Sequence, residues 1–233
     1  FEKTVSLATG LGVSRRTVAT FLKLMGVPPI VRQTMNLLSA FFSLLGETCR
    51  VTLFLKQDDW VQMGDCACRV IETPGHSIDS ICLFYESERL LFSGDHILPH
   101  ITPNALVILE EGSAWPVRRS QQEFYESVEK VKLLAPKTVY PAHGRPIEDI
   151  EQTAELYVNS FKEREEKILS VIASGETTIY RISRKMFPQL KRSRLPLELF
   201  LAVSEVYTHI QMLAHKGMVS MDPEAGVLMI RIA

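Results

Sequence analysis

Three short segments limit what this chain can fold into: Thr73-Pro74-Gly75-His76, Phe92-Ser93-Gly94-Asp95 and Tyr140-Pro141-Ala142-His143-Gly144. Each follows an apolar run that reads as a strand. Val70-Ile71 leads into the first, Leu90-Leu91-Phe92 into the second and Thr138-Val139-Tyr140 into the third. Gly or Pro stands beside each polar residue, and these residues turn a chain sharply out of a sheet. Two imidazoles and one carboxylate delivered at strand ends of one sheet form a donor set that suits a borderline metal such as zinc. Taken singly the residues read more blandly. His76 fits a hydrogen-bonded turn, and Asp95 fits the cap of a following helix.

The rest of the chain is that of an ordinary globular protein. Its 233 residues allow one large domain or two small ones, with 46% hydrophobic and 23% charged side chains. A net charge of −1 offers no global attraction to nucleic acid or acidic membranes. The balance is uneven, because residues 160–233 carry 11 basic and 8 acidic side chains. Cys66 and Cys68 stand one residue apart on one strand face, which is neither a redox nor a zinc spacing. With Cys49 and Cys82 they read as buried or half-buried free thiols of a reducing, cytoplasmic compartment. The most apolar stretch, 34–46, is too short to span a bilayer, so no membrane association is expected.

Periodicity predicts helices over 14–25, with Ser14 as N-cap, and over 30–45. Strands are predicted over 50–55, 60–63, 67–72, 79–85 and 89–93, with a hairpin turn at Glu86-Ser87-Glu88. Residues 97–119 read as a long irregular loop, 120–134 as a helix and 138–140 as a strand. A long helix from about Ile147 to Ala173, with a break, precedes helices 178–186 and 197–215 and a hairpin of 218–221 with 227–232. Residues 188–196 read as a basic linker.

The order His76, Asp95, His143 in these contexts resembles the metallo-β-lactamase superfamily, over about Gly64 to Glu148. The resemblance implies an α/β (α+β) fold, a partial αββα sandwich at 1–159 whose helical segment 1–49 forms a lid or insert. Three helices and a hairpin at 160–233 resemble the small winged-helix domain that follows the hydrolase domain in the branch of β-lactamase-like protein 2. Gly94-Asp95-His96-Ile97-Leu98-Pro99 and Ile101-Thr102-Pro103-Asn104 also look like that branch. The implied roles are His76 on a first metal, Asp95 bridging two metals as the catalytic carboxylate, and His143 on the second. The metals are zinc, with iron or manganese as alternatives. The family's His-x-His-x-Asp-His segment is expected upstream of His76, yet no histidine precedes His76. The chain also opens at Phe1, so it reads as a piece of a longer protein, and too few donors remain for full activity.

His96, next to Asp95, is expected to face the core or support the site rather than ligate. His100 in the long loop is a substrate-contact candidate. His209 reads as structural and His215 as a helix C-terminal group. Ser77 and Asp79 are candidates to hold the His76 loop. The implied activity is metal-dependent hydrolysis of an ester, thioester or phosphodiester. Two alternatives are an endoribonuclease acting on single-stranded RNA and a non-catalytic binding module of the same fold. A helix-turn-helix reading of residues 11–22 is the third, because Arg15 and Arg16 open a helix there. A small-molecule ester or thioester or single-stranded RNA is the expected partner, with a homodimer also in view. Helix 197–215 lacks Arg and Lys, so the nearest phosphate-binding feature is the acid-free stretch from Arg181 to Arg194.

Overall fold

The structure, a computed structural model, describes residues 4–5, 14–34, 49–50, 53–113, 115–190 and 195–233, with side chains left aside at 4–5, 49–50, 195 and 196. The chain folds into two compact units. One comprises residues 54–106 and 119–164; the other comprises 1–53, 107–118 and 165–233. Residues 1–53 thus group with the C-terminal residues rather than with the sheet.

The first unit is built on a five-stranded sheet of order β3-β4-β5-β6-β7, with β3 Trp60–Met63, β4 Cys66–Glu72, β5 Ile81–Tyr85, β6 Leu90–Gly94 and β7 Thr138–Pro141. β3 to β6 form an antiparallel meander, and β7 then pairs parallel to β6. The predicted hairpin turn sits at 86–89 and closes with Arg89 at φ +54. Helices α2 (Ser120–Leu133) and α3 (Ile150–Ala173) cover one face. Ile71, Cys82, Phe84, Leu91 and Val139 from the sheet interlock with Phe124, Val128 and Val131 of α2 and with Ile150, Ala154, Tyr157 and Phe161 of α3. Alternate strand residues point the other way. There Phe92 and Tyr140 stack at 5.5 Å between ring centres, each more than a third exposed.

α3 begins at Ile150 rather than 147, because the Ile147 backbone pairs with Val139 in both directions at 2.8 and 2.9 Å. Asp149 then caps the helix by accepting the Gln152 N–H at 2.8 Å. The helix runs to Ala173 without the expected break. No turn residue interrupts it, and Phe161 and Ile168 continue its apolar stripe.

Helix α1 (Arg15–Leu24) belongs to the second unit. Ser14 caps it as predicted, its hydroxyl accepting the Thr17 N–H. Phe21, Leu22 and Met25 are almost fully buried in a core with Ile168, Ile179, Leu199, Val203 and Tyr207. This apolar stripe explains why the segment joins the C-terminal helices α4 (Ile179–Met186) and α5 (Leu195–His215). α5 opens inside the stretch expected as a linker, with Pro196 in its first turn, where a missing N–H costs little. Its residues 202–210 are buried on every face, so its middle presents no surface for reading a groove. His209 is buried there, and His215 ends the helix. The hairpin of β8 (Val219–Glu224) and β9 (Val227–Ile232) closes through Ala225 and Gly226, both at positive φ. That two-residue turn carries β8 on to Glu224, into the predicted five-residue loop, while β9 keeps its predicted bounds. A partly buried ion pair, Lys216 Nζ to Glu165 Oε2 at 2.6 Å, joins two residues within this unit.

The residues 35–45 of the expected second helix, 51–52 of the expected first strand and 191–194 of the basic stretch lie outside the described residues. Backbone strand pairing of β1 (Thr4–Val5) with β2 (Cys49–Arg50) is what remains at the margins, and 53–56 are not in a strand. No helix among the described residues is long and apolar enough to cross a membrane.

The thiols of the sheet unit are free and unequal: Cys66 is half-buried, while Cys68 and Cys82 are buried. Burial pushes the Cys82 thiol from 9.0 up to about 12. The folded state therefore holds this proton more tightly than the unfolded chain does. Stability linked to Cys82 is complete below pH 9 and is lost as the pH rises from about 9 toward 12. We expect Cys66 to react with a thiol reagent in the native protein and Cys82 only on unfolding. A Cys82→Ala variant should show a shallower loss of stability above pH 9 in urea titrations; an unchanged slope would contradict this.

Candidate metal centre

β4, β6 and β7 run in one direction, so the chain leaves the same sheet edge after Glu72, Gly94 and Pro141. Adjacent strands lie about 4.8 Å apart, so the exits of β6 and β7 are close while that of β4 lies about 10 Å from β6. Topology alone thus brings Asp95 beside His143 and obliges His76 to reach in on a loop. The structure shows that pattern. Asp95 Oδ1 lies 3.5 Å from His143 Nε2, and both side chains are open to solvent. The Ala142 N–H donates to the Gly94 carbonyl at 2.9 Å and locks the two exits together. His76 is half-buried and is not brought into a three-donor group; among the described residues no three His, Cys, Asp or Glu side chains cluster closely enough to hold a metal.

The His76 loop is pinned at several points. The Thr73 N–H donates to Ser80 O at 2.9 Å, and Ser127 Oγ donates to Pro74 O at 2.8 Å. Ser77 contributes as expected, its hydroxyl bonded to Ser80 Oγ at 2.7 Å. His76 Nδ1 lies 2.8 Å from the Asn104 carbonyl oxygen. A carbonyl only accepts, so Nδ1 carries the proton and Nε2 keeps its lone pair for a ligand. Gly75 explains the glycine before His76. Its φ is +132, and a Cβ there would stand 2.5 Å from Phe124 Cα of α2.

The Asp95 loop is held equally firmly. The His96 N–H donates to Ser93 O at 3.0 Å, and Ser93 Oγ donates to Ile97 O at 3.0 Å. No helix starts at Asp95, so the capping alternative does not apply. His96 turns into the core, 1% exposed and 4.9 Å from the Phe124 ring centre. Burial pushes its pKa down to about 3, against a weak opposing contact with the Ser127 backbone, so it stays neutral. It is a core imidazole, as its place next to an outward-facing Asp95 predicted. His100 is exposed on the loop after Pro99, and Asp79 is exposed beside Ser80.

Two contacts escaped sequence reasoning. Tyr157 of α3 donates its hydroxyl to Leu98 O at 2.7 Å and accepts the Leu98 N–H at 2.6 Å. Gly144, at φ +92, leaves room for Pro99, whose Cγ would lie 2.6 Å from a Cβ there. A signal for the first was available: Ile150, Ala154, Tyr157 and Phe161 form one apolar helix stripe, and a tyrosine on such a stripe needs a polar partner.

Residues 68–143 match the model of the metallo-beta-lactamase superfamily. The chain carries a domain of that superfamily, and all three motif residues fall inside the matched span. A protein named probable metallo-hydrolase YqjP, from Bacillus subtilis, is 29% identical over 62% of this chain and 44% of its own length. A beta-lactamase-like protein 2 homolog of Caenorhabditis elegans is 29% identical over 50% of this chain and 35% of its own, which supports the branch assignment. An atrochrysone carboxyl ACP thioesterase of Aspergillus fumigatus is 29% identical over 43% of this chain and 28% of its own. A beta-lactamase domain protein of Burkholderia ambifaria shares the fold over 93% of this chain and 62% of its own, at 21% identity and a TM-score of 0.76. The chain thus spans less than half the length of these curated relatives.

The residues at hand fit a metal as a pair. Two ligands about 2.05 Å from one tetrahedral zinc stand about 3.3 Å apart. The observed 3.5 Å is close to that and longer than a good N–H···O hydrogen bond. Two donors fall short of the three that catalytic zinc usually takes from protein.

Proposed function

We propose that the protein containing this chain is a cytoplasmic metal-dependent hydrolase acting on an ester or thioester, with Asp95 and His143 holding one ion and His76 and Asp95 a second. The observation that carries the reading is the 3.5 Å approach of Asp95 to His143 at paired parallel strand ends. Zinc suits imidazole and carboxylate donors best, and iron or manganese would also accept them. When bound, such ions supply a water of lowered pKa and polarise the scissile oxygen. The chain's own part is positional. The Asn104 carbonyl fixes the His76 tautomer, and the parallel strand pair sets the Asp95–His143 spacing. His100 stands exposed where it can meet substrate.

Ester or thioester is preferred to RNA for reasons of charge. The net charge is −1. In the described part of the basic stretch, Arg181 and Lys185 lie 3.9 and 4.0 Å from Glu176, which offsets their attraction for phosphates. The second unit reads as a winged helix whose third helix is interior. The thioesterase among the relatives supports the same substrate class. Binding of single-stranded RNA should be weak and should fall steeply with salt if it occurs; tight RNA binding with a slope of several phosphates would favour the endoribonuclease.

Donor count makes a second test. Structural zinc held by four donors gains about 10–16 kcal/mol. Two donors should reach about half, or a dissociation constant of roughly 10⁻⁴ to 10⁻⁶ M. Calorimetric zinc titration of this chain should give that weak range and should lose the site in Asp95→Ala. Nanomolar stoichiometric binding would show that the donor set has been misread, and no binding would favour the non-catalytic module.

A further inference from the structure

We propose that Tyr157 is a positioning residue for the Asp95–His143 pair, acting through the Leu98-Pro99 strap; this rests on the metal-centre reading above. One hydroxyl engages both backbone groups of a single residue: it donates to Leu98 O at 2.7 Å and accepts the Leu98 N–H at 2.6 Å. Leu98 is 5% exposed and Tyr157 3%, so neither backbone group has water as a ready substitute. Leu98 lies three residues after Asp95. The next residue, Pro99, presses into the space that Gly144 leaves beside His143, with its Cγ where a side chain would otherwise begin. The strap therefore touches the Asp95 loop at one end and the His143 loop at the other.

Its other hydrogen bonds among the described residues lie on the Asp95 side. They are His96 N–H to Ser93 O and Ser93 Oγ to Ile97 O. Among the described residues, Tyr157 is the side chain that hydrogen-bonds the strap from a helix, and α3 is anchored in the core by Ile150, Ala154 and Phe161. A rigid helix thus sets how far Pro99 advances on Gly144, and with it the separation of carboxylate and imidazole. The same hydroxyl is buried and engaged with Leu98, so its part is to position rather than to ligate.

The test compares Tyr157→Phe with Tyr207→Phe in this chain. Tyr207 is also buried and also donates its hydroxyl to a carbonyl, Pro116 O at 3.1 Å, but in the other unit. Zinc affinity is measured by calorimetry, and cobalt(II) absorption in the visible reports ligand geometry. Tyr157→Phe should weaken zinc binding about 10-fold or more, in the range that supporting residues of metal sites show, and should alter the cobalt bands. Tyr207→Phe should lose thermal stability with affinity and spectrum unchanged. Should Tyr157→Phe fail to fold, Pro99→Ala keeps the tyrosine bonds but vacates the Gly144 contact, and should move affinity the same way. Variants at 157 and 99 that bind zinc within twofold of the parent with identical cobalt spectra would overturn the role of Tyr157 while leaving the metal centre intact. A parent chain whose zinc binding is absent, or indifferent to Asp95→Ala, would overturn the metal-centre reading itself.

Discussion

Gly75→Ala should destabilise the sheet unit by about 2–6 kcal/mol. Two costs add. An alanine at φ +132 occupies backbone space that side-chain-bearing residues avoid, worth about 1–3 kcal/mol. Its Cβ would also stand 2.5 Å from Phe124 Cα and 2.6 Å from Phe124 N. Those are backbone atoms of a helix, which cannot swing aside as a flexible side chain can, and overpacking of this kind costs about 1–3 kcal/mol more. Relief can come only by moving α2 or the loop, and the loop carries His76. We therefore expect a fall in melting temperature of about 4–24 °C, together with a displaced His76 resonance in NMR. Gly64→Ala is the matching control, because a Cβ at Gly64 meets nothing within 4 Å while its φ is likewise positive at +61. A Gly75→Ala loss no larger than that of Gly64→Ala would show that the close approach to α2 carries no weight.

This glycine also marks the boundary between what was legible in the sequence and what was not. The need for a turn at Gly75 could be read, because Gly beside Pro ends a strand. The reason only glycine fits could not, since Phe124 is 49 residues away in the chain. The strands from 60 to 94 and the helices at 14–25, 120–134 and 178–186 followed from apolar periodicity, which packing then confirmed residue by residue. Boundaries slipped where backbone pairing outranked periodicity, as at Ile147. The grouping of α1 with α4 and α5 was hidden for a similar reason: Phe21, Leu22 and Met25 announce a buried stripe but not its partner. At the site, the turns after β6 and β7 mark Asp95 and His143 as candidates, and the parallel pairing of β6 with β7 brings them together. His76 was placed on the same sheet edge, but β5 stands between its strand and theirs.

Asp95→Ala carries the other large effect. In the protein that holds the complete site, this substitution should lower kcat/KM more than about 100-fold, since even supporting residues of metal centres are worth 10–100-fold. The carboxylate is the donor the proposed ions have in common, so its loss affects both. Stability should hardly change, because the side chain is 45% exposed and its partner, His143, is 78% exposed. The comparison needs a chromogenic ester, a thioester and an activated phosphodiester, each tested with parent and variant. Loss on whichever substrate the parent cleaves, with an unchanged melting temperature, is the expected result. Activity within a few-fold of the parent would remove Asp95 from the chemistry.

The direct examination of the shared-ion claim is diffraction at the zinc absorption edge from crystals of this chain soaked in millimolar zinc. The account predicts an anomalous peak about 2.0–2.2 Å from both Asp95 Oδ1 and His143 Nε2. Zinc bound elsewhere, with no peak between that carboxylate and that imidazole, would contradict it.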